Sequence, residues 1–395
     1  MTGLYSLVMN FGLLLDNRSM RFCTVTCLLG CLWLAGCSSS GGGSDDSANT
    51  VDPVITPNLV EIPVGGIAVD LGNFDPAPTV DGSGNFWMSY SHVSLDAGGL
   101  KLIETRLATS ADAGASWSDA GLSINPAMAF AIAPNTVAWA QEVSRLVYNP
   151  HALAVGADPW ILLWHRYLSV LNGVETERLF DNGWIALKSG ATATTLGGER
   201  KLFSGSLYNN ANDVTIGPPE VRLHQLDPSL NDCVAFTEPG LLPKPGGIYV
   251  SLLCATVSAP GRIILLACNH FMNNCAYRGT LIDGSEAAVL DGSFDNFSAS
   301  ELVSVGGADY LVVTPSASTI YRGCIVYRIN DLDQAVIERD AGAAKPTAII
   351  EPNGDFNGAC GYVEGLTGSG LMISEAFFRS APTFRIFTTG FDFQQ

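Results

Sequence analysis

Short apolar runs separated by polar turn residues recur along most of this chain. Three stretches share one layout, in which a polar residue and a proline precede an apolar run, a glycine-containing turn and an aromatic-led second run: FDPAPTVDGSGNFWMSY, YNPHALAVGADPWILLW and TEPGLLPKPGGIYVSLL. The residues before proline are Asp75, Asn149 and Glu238, and the aromatic residue follows them after 12, 11 and 11 positions. This spacing predicts three β-hairpins that each carry a polar side chain at the same end.

Weaker copies of the hairpin begin at Glu301 and Gly361, and helical periodicity is nearly absent after residue 53. The pattern therefore predicts an all-β domain of five units, each roughly 60–90 residues long, arranged as a five-bladed β-propeller. In this fold the innermost strand of each blade lines a central channel. The segment NLVEIPVGGIAVDL precedes the first unit and is predicted to complete the last blade, which would leave no open sheet edge.

The N-terminus has the chemistry of an export signal. Met20 and Arg21 lead into an apolar run that ends at Leu34-Ala35-Gly36-Cys37, which resembles a bacterial lipoprotein signal. The resemblance implies a signal peptide over residues 1–36, with Met20 as an alternative start, and a lipid on Cys37 that anchors the protein without spanning the membrane. Residues 37–52 then form a flexible Gly/Ser linker before one domain over 53–395, and Ser38 favours the outer membrane of the bacterial envelope.

The net charge indicates which class of partner is favourable, and the cysteines indicate how many disulfides the domain can form. The formal net charge of −18 makes nucleic acid an unfavourable partner, whereas a carbohydrate is compatible with it. Six cysteines lie in the domain, which suggests up to three disulfides in an oxidising compartment, and of the possible pairs only Cys268 with Cys275 is predicted, because they flank a short polar loop.

Motifs for other chemistries are absent from the sequence. It contains no phosphate-binding glycine loop, no HExxH pair and no G-x-S-x-G elbow, so nucleotide use, zinc proteolysis and serine hydrolysis are not predicted. No metal ligand set and no cofactor are predicted either, although calcium in the channel is compatible with the sequence.

The segment from Ser110 to Trp117 matches the pattern S-x-D-x-G-x-[ST]-W and resembles the Asp box of sialidases and similar propellers. In this segment Asp112 is expected to accept hydrogen bonds from a tight turn, and Gly114 to adopt a conformation that other residues avoid. Trp117 is expected to pack between strands. The predicted role of the segment is structural.

Over most of residues 65–390 the chain resembles the five-bladed glycoside hydrolases of the arabinanase, β-xylosidase and invertase group, through the three pre-proline segments. The resemblance implies Asp75 as catalytic base or nucleophile and Glu238 as acid, which is the pair of carboxyl groups that glycoside cleavage requires. The second position holds Asn149 where the group has aspartate. The candidate sugar ligands are Asn149, His151, His92 and His165.

Two alternatives stay open at this stage. The first is a six-bladed, sialidase-like exo-glycosidase, in which Tyr362 would be the nucleophile and Glu301 its partner. The second is a non-catalytic lipoprotein that binds a glycan or a protein through its channel face, which Asn149 favours. The enzyme hypothesis predicts that Asp75, Asn149 and Glu238 converge at one end of the channel.

Overall fold

A computed structural model describes most of the domain. The described residues are 54–68, 71–124, 129–132, 135–172, 175–206, 208, 218–257, 260–289, 294–317, 320–352, 356–367, 370–376 and 384–393. The predicted signal peptide, lipidated Cys37 and linker lie outside them. In the described part of the chain no helix has the length and apolar character needed to cross a bilayer. The regular structure there is β-strand with short 3-10 helices, which confirms the all-β prediction.

The strands follow one another as antiparallel sheets after a short N-terminal segment. That segment holds β1 (Val54–Ile55), β2 (Val60–Glu61) and β3 (Val64–Gly65). The first sheet holds β4 (Gly72–Val80), β5 (Phe86–Leu95), β6 (Lys101–Ser110) and β7 (Trp117–Ser123). The second holds β8 (Ala129–Ile132), β9 (Asn135–Tyr148), β10 (Trp160–Asn172), β11 (Glu175–Gly190), β12 (Arg200–Ser204) and β13 (Val221–Arg222). The third holds β14 (Ala235–Lys244), β15 (Gly247–Ala255), β16 (Arg262–Cys268) and β17 (Cys275–Asp283).

The fourth sheet region holds β18 (Asn296–Val305), β19 (Ala308–Ala317), β20 (Ile320–Arg322), β21 (Cys324–Asp331), β22 (Val336–Ile337), β23 (Arg339–Asp340), β24 (Ala343–Ala344) and β25 (Pro346–Ile350). The last holds β26 (Phe356–Tyr362), β27 (Leu371–Ala376) and β28 (Phe384–Thr388). The 3-10 helices among the described residues are Leu153–Val155, Leu223–Gln225, Pro228–Leu230 and Gly284–Val289.

The first strand of each sheet lies at the centre of the molecule. Strands β4, β9, β14, β18 and β26 contact one another in sequence, and β26 returns to β4, so these inner strands form a closed ring. Apolar cores fill the space between neighbouring sheets; Leu163 of the second sheet and Leu266 of the third belong to one such core. A ring of antiparallel sheets around a central channel is a β-propeller.

The N-terminal segment closes this ring, as predicted. Val60 and Glu61 pair with Thr388 and Phe387, so β2 becomes the fourth strand of the last sheet. Strand β1 pairs with β25 of the fourth sheet and β3 pairs with β7 of the first. Residues 54–65 therefore join the outer edges of three sheets.

We expect a protein that starts at Gly66 to be less stable than one that starts at Val54, by about 3–6 kcal/mol. The shorter protein loses the buried side chains of Ile62 and Val64 and leaves the β28 edge unpaired. Urea unfolding of the two proteins measures the difference. Equal unfolding free energies would show that the N-terminal strands do not hold the ring closed.

The turn between β6 and β7 has the local chemistry predicted for residues 110–117. The Asp112 carboxylate accepts hydrogen bonds from the backbone N–H and the hydroxyl of Ser116, at 2.9 and 2.6 Å. Gly114 has a φ of +86°, in the left-handed region that favours glycine, and Trp117 is buried. The turn lies on the outer part of the first sheet and fixes its last hairpin.

Three disulfides are present among the described residues. Cys268 pairs with Cys275, as predicted, and the other bonds join Cys233 to Cys254 and Cys324 to Cys360. The last of these connects β21 of the fourth sheet to β26, the inner strand of the next sheet. It therefore fixes an inner strand close to the channel.

Candidate active site

Each of the five inner strands contains a β-bulge at the same level of the channel. At this point the pairing register of the strand shifts against its neighbour, because extra residues on the inner strand face fewer on the second strand. The first residue of every bulge has a positive φ, between 47° and 56°; these residues are Asp75, Val143, Glu238, Ala299 and Ala359. Since the bulge occurs in all five strands, it belongs to the fold. The first residue of the bulge carries a carboxylate in two sheets, at Asp75 in the first and Glu238 in the third.

The predicted convergence of three pre-proline residues is wrong for Asn149. The bulge of β9 is at Val143, and Asn149 lies six residues further on, after the end of the strand, which is about 20 Å of extended chain. Its amide donates a hydrogen bond to Nδ1 of His270 at 3.0 Å and accepts one from the backbone N–H of His151 at 3.0 Å. Proline marks the bulge in the first and third sheets but follows the strand end in the second, so its position does not locate the bulge of β9.

A cavity of about 210 Å³ is lined in part by His270, the residue that accepts the hydrogen bond from Asn149. Asp158, Arg200, His270 and Phe271 are among its lining residues. Asn149 contacts His270 and His151 contacts Asn149, so the structure does not bring these two predicted sugar ligands to the acidic residues of the channel.

Asp75 is held by three sheets. Its backbone N–H donates to the Ser374 hydroxyl at 2.7 Å, and its Oδ2 accepts from the Ser91 hydroxyl at 3.0 Å and from the backbone N–H of Val143 at 3.2 Å. The residue is 2% exposed. Burial is the main cause that raises the pKa of Asp75 to about 7; the negative charge of Glu142 adds to it, and Arg145 opposes it.

Glu142 is a second buried carboxyl beside Asp75, and sequence reasoning missed it. It precedes the bulge of β9, is 5% exposed and accepts a hydrogen bond from the Tyr167 hydroxyl at 2.8 Å. His165 lies opposite it on β10. The available signal was a pair of charged residues, Glu142 and Arg145, within a strand that has no other charged residue.

Two positions beyond each bulge residue the inner strands form what we call the channel ring, which consists of Ala77, Arg145, Gly240, Glu301 and Gly361. A Cβ atom on Gly240 would lie 2.9 Å from the Ser300 carbonyl oxygen, and one on Gly361 would lie 2.1 Å from that of Pro76. The glycines therefore allow the inner strands to approach closely. Because these glycines and Ala77 are small, the space inside the ring is occupied by the two large charged side chains, Arg145 and Glu301.

The guanidinium of Arg145 reaches across the channel. It donates to the backbone carbonyl of its neighbour Ser144 at 3.1 Å, to the Ser300 carbonyl in the fourth sheet at 3.5 Å and to the Cys360 carbonyl in the fifth at 3.3 Å. Its Nε forms an ion pair with the carboxylate of Glu301. Arg145 and Glu301 are 1% and 7% exposed, and burial raises the pKa of Glu301 to about 7 although Arg145 lowers it.

These contacts do not support the predicted pairing of Tyr362 with Glu301. The Tyr362 hydroxyl donates to Asp392 at 3.3 Å and its ring packs against Phe393, with centroids 4.7 Å apart. Burial and the charge of Asp392 raise the pKa of Tyr362 well above its usual value, which disfavours the ionised nucleophile that a sialidase-like site needs. Glu301 pairs with Arg145 instead.

Glu238 and His92 are the remaining site residues predicted from the sequence. Glu238 is partly exposed, in contrast to Asp75, and its carbonyl accepts a hydrogen bond from the Ser300 hydroxyl at 2.8 Å. His92 follows Ser91 on β5 and its Nδ1 lies 2.9 Å from the Asn73 side-chain oxygen. His92 and His165 thus lie beside the residues around Asp75, and their role as sugar ligands stays a prediction.

The channel ring does not suit the calcium ion that the sequence allowed. Calcium takes six to eight oxygen ligands, but Arg145 already engages carbonyls of three sheets at this level. Elsewhere in the described residues, Asp232, Cys233 and Cys254 lie close together, but both cysteines belong to a disulfide and have no thiolate to offer.

No protein-family model matches the chain, and no curated protein sequence matches it significantly. Among solved structures, a mutant of the Bombyx mori family 32 beta-fructofuranosidase in complex with sucrose is similar, with 14% identity over 84% of this chain and 61% of that chain and a TM-score of 0.49. The chain thus spans about three fifths of the length of the Bombyx mori protein.

Two bacterial structures are also similar. The endo-arabinase of Bacteroides thetaiotaomicron has 13% identity over 84% of this chain and 98% of that chain, with a TM-score of 0.45. A family 117 glycoside hydrolase of the marine bacterium Zobellia galactanivorans has 11% identity over 84% of this chain and 90% of that chain, with a TM-score of 0.45.

Proposed function

We propose that the protein is a five-bladed propeller glycoside hydrolase that cleaves poly- or oligosaccharides with Asp75 and Glu238 as its two catalytic carboxyl groups. The observation that carries the proposal is the equivalence of these residues. Both are the first residue of an inner-strand bulge, with φ values of 54° and 56°, and each precedes a proline. In this proposal the shared backbone geometry brings one carboxyl from the first sheet and one from the third to the same level of the channel.

Glycoside cleavage requires carboxyl groups in different protonation states, one to protonate the leaving oxygen and one to act as base or nucleophile. Asp75 and Glu238 lie in different environments, since Asp75 is buried and Glu238 is partly exposed. With Asp75 as base or nucleophile, its ionised form increases as pH rises through about 7. We therefore propose an activity that increases over this range.

Glu142 supplies the carboxyl of the second sheet in this proposal, in place of Asn149. It lies next to the bulge instead of at it, and its charge raises the pKa of Asp75. Its hydrogen bond with Tyr167 fixes it at the side of Asp75. The proposed role of Glu142 is to set the protonation of Asp75 without touching the reacting atoms.

The proposed setting of the enzyme is the outer membrane of a bacterial envelope, with a lipid on Cys37 as the anchor and residues 38–52 as the tether. Carbohydrate is the proposed substrate and nucleic acid is not a proposed partner, in keeping with the net charge of −18. Protein that starts at Ser38 would then be soluble without its lipid.

We expect this soluble protein to hydrolyse at least one substrate in a panel of aryl glycosides, plant and algal oligosaccharides and a sialoside. Asp75→Asn and Glu238→Gln should each lower kcat by about 10²–10⁴-fold, because each removes one of the two proton-transferring groups. Reducing-sugar or chromophore release measures the rate.

The matched controls are Asp340→Asn and Glu364→Gln, which make the same chemical changes at exposed positions. They should leave kcat within a few-fold of the unmodified protein. Activity that survives both Asp75→Asn and Glu238→Gln would rule out the proposed carboxyl pair.

A non-catalytic glycan-binding propeller is the second candidate, and the burial of Asp75 favours it. A carboxyl that is 2% exposed is poorly accessible to a sugar in this conformation. Saturable binding of an oligosaccharide by the protein from Ser38 onwards, without turnover of any panel member, would support this candidate over the enzyme.

A further inference from the structure

The ion pair in the channel ring joins strands that are far apart in the sequence. Arg145 comes from the second sheet and Glu301 from the fourth, and the same guanidinium also binds the Cys360 carbonyl of the fifth. A guanidinium is planar, carries donors in a fixed fork and stays charged at all accessible pH values. With acceptors on three sides, its charge has a fixed position in the channel.

We propose that the ion pair of Arg145 and Glu301 is a positioning device for the site: it ties three inner strands together and fixes a positive charge two residues from Val143, whose backbone N–H donates to the Asp75 carboxylate. This inference rests on the proposed function, because it assigns a role to the pair in supporting Asp75. Arg145 and Glu301 are positioning residues here, since neither is required to touch the substrate.

The small size of the other residues in the channel ring makes room for the side chains of Arg145 and Glu301. A side chain at Gly361 or Gly240 would collide with the neighbouring inner strand, as the 2.1 and 2.9 Å contacts show. Two long charged side chains therefore share the ring with three small residues. The Cys324–Cys360 disulfide holds the strand that supplies one of the carbonyl acceptors.

Charged and titratable groups lie around Asp75 on several elements, and the two that act on its pKa directly are both on β9. Glu142 of β9 favours the protonated form and Arg145 of the same strand favours the ionised form. Glu301 of β18 partly neutralises Arg145, and His92 of β5 follows Ser91, the residue that donates to Asp75. Removing the arginine should therefore make Asp75 harder to ionise, whereas removing the glutamate charge should make it easier.

The test is a carbon-13 NMR titration of the protein from Ser38 onwards, labelled at aspartate side-chain carboxyl carbons. The Asp75 signal is assigned by its loss in Asp75→Asn. We expect Arg145→Gln to raise the titration midpoint of Asp75 by about one pH unit or more and Glu301→Gln to lower it. Arg145→Lys keeps the charge and should move the midpoint less than Arg145→Gln does.

The opposite signs distinguish this role from a merely structural one, which would lower the unfolding temperature in both variants without moving the midpoint. Arg278→Gln is the control, because it removes an arginine from a partly exposed ion pair with Asp333. If Arg145→Gln does not fold, Glu301→Gln alone decides, since an unchanged or raised midpoint overturns the proposal. The titration needs no substrate, so a protein without glycosidase activity would refute the proposed function and still test the pair.

Discussion

Asp75→Asn is expected to raise the free energy of unfolding at pH 8 by about 2–4 kcal/mol and to change it little at pH 4. The pKa of Asp75 is about 7 in the folded protein against an ordinary value of 3.8. The folded state therefore holds a proton that the unfolded state releases, and the stability this proton supports is complete below pH 3.8. It is lost as pH rises to about 7, and above that pH the buried charge carries its full cost.

Asparagine has a similar shape and no charge, so the variant should lack this loss of stability at high pH. Its side-chain oxygen can still accept the hydrogen bond that Val143 donates to Asp75 at 3.2 Å. Urea unfolding from pH 4 to pH 9 measures the free energy of unfolding of the unmodified protein and of Asp75→Asn at each pH. Asp340→Asn, at an exposed position, is the matched control. Curves that stay parallel for Asp75→Asn would mean that Asp75 ionises as an ordinary carboxyl.

Arg145→Met is expected to destabilise the protein by about 3–5 kcal/mol at pH 7–8, because it leaves the buried carboxyl of Glu301 without its ion-pair partner. The substitution also removes the donors that Ser300 and Cys360 accept from. Part of this cost should disappear when the second charge is removed as well. Glu301→Gln in the Arg145→Met background should therefore recover about 1–3 kcal/mol.

The four proteins of this double-mutant cycle can be compared by urea unfolding at one pH. A coupling free energy near zero would contradict the ion pair, because independent residues give additive effects. A second cycle on Arg278 and Asp333, whose side chains are 37% and 64% exposed, provides the reference for a pair near the surface. That cycle should give at most about 1 kcal/mol.

Features set by local spacing, or by the pairing of an otherwise open sheet edge, could be predicted from the sequence. The alternation of apolar runs and turns predicts the β-sheets. The segment around Val60 is predicted to complete the last sheet and does so, and Cys268 pairs with Cys275 across its short loop. The turn around Asp112 also followed from its own residues. Each of these depends on local spacing or on a simple closure rule.

The centre of the channel could not be predicted in the same way. A bulge displaces a strand by one residue and has no fixed sequence signature, so proline marked it at Asp75 and Glu238 and gave no sign of it at Val143. Arg145 contacts the Cys360 carbonyl across 215 positions of sequence. Such a contact becomes visible only when the five inner strands are placed in register.

The most direct test of the proposed site is a crystal structure of the Glu238→Gln variant with a bound oligosaccharide. We predict that the sugar lies over the bulges, with a glycosidic oxygen about 3 Å from the side chain at position 238 and Asp75 on the other side of the cleaved bond, roughly 5–9.5 Å from that side chain. A sugar bound in the cavity beside Asn149 and His270, with the channel residues untouched, would contradict the assignment of Asp75 and Glu238 as the catalytic pair.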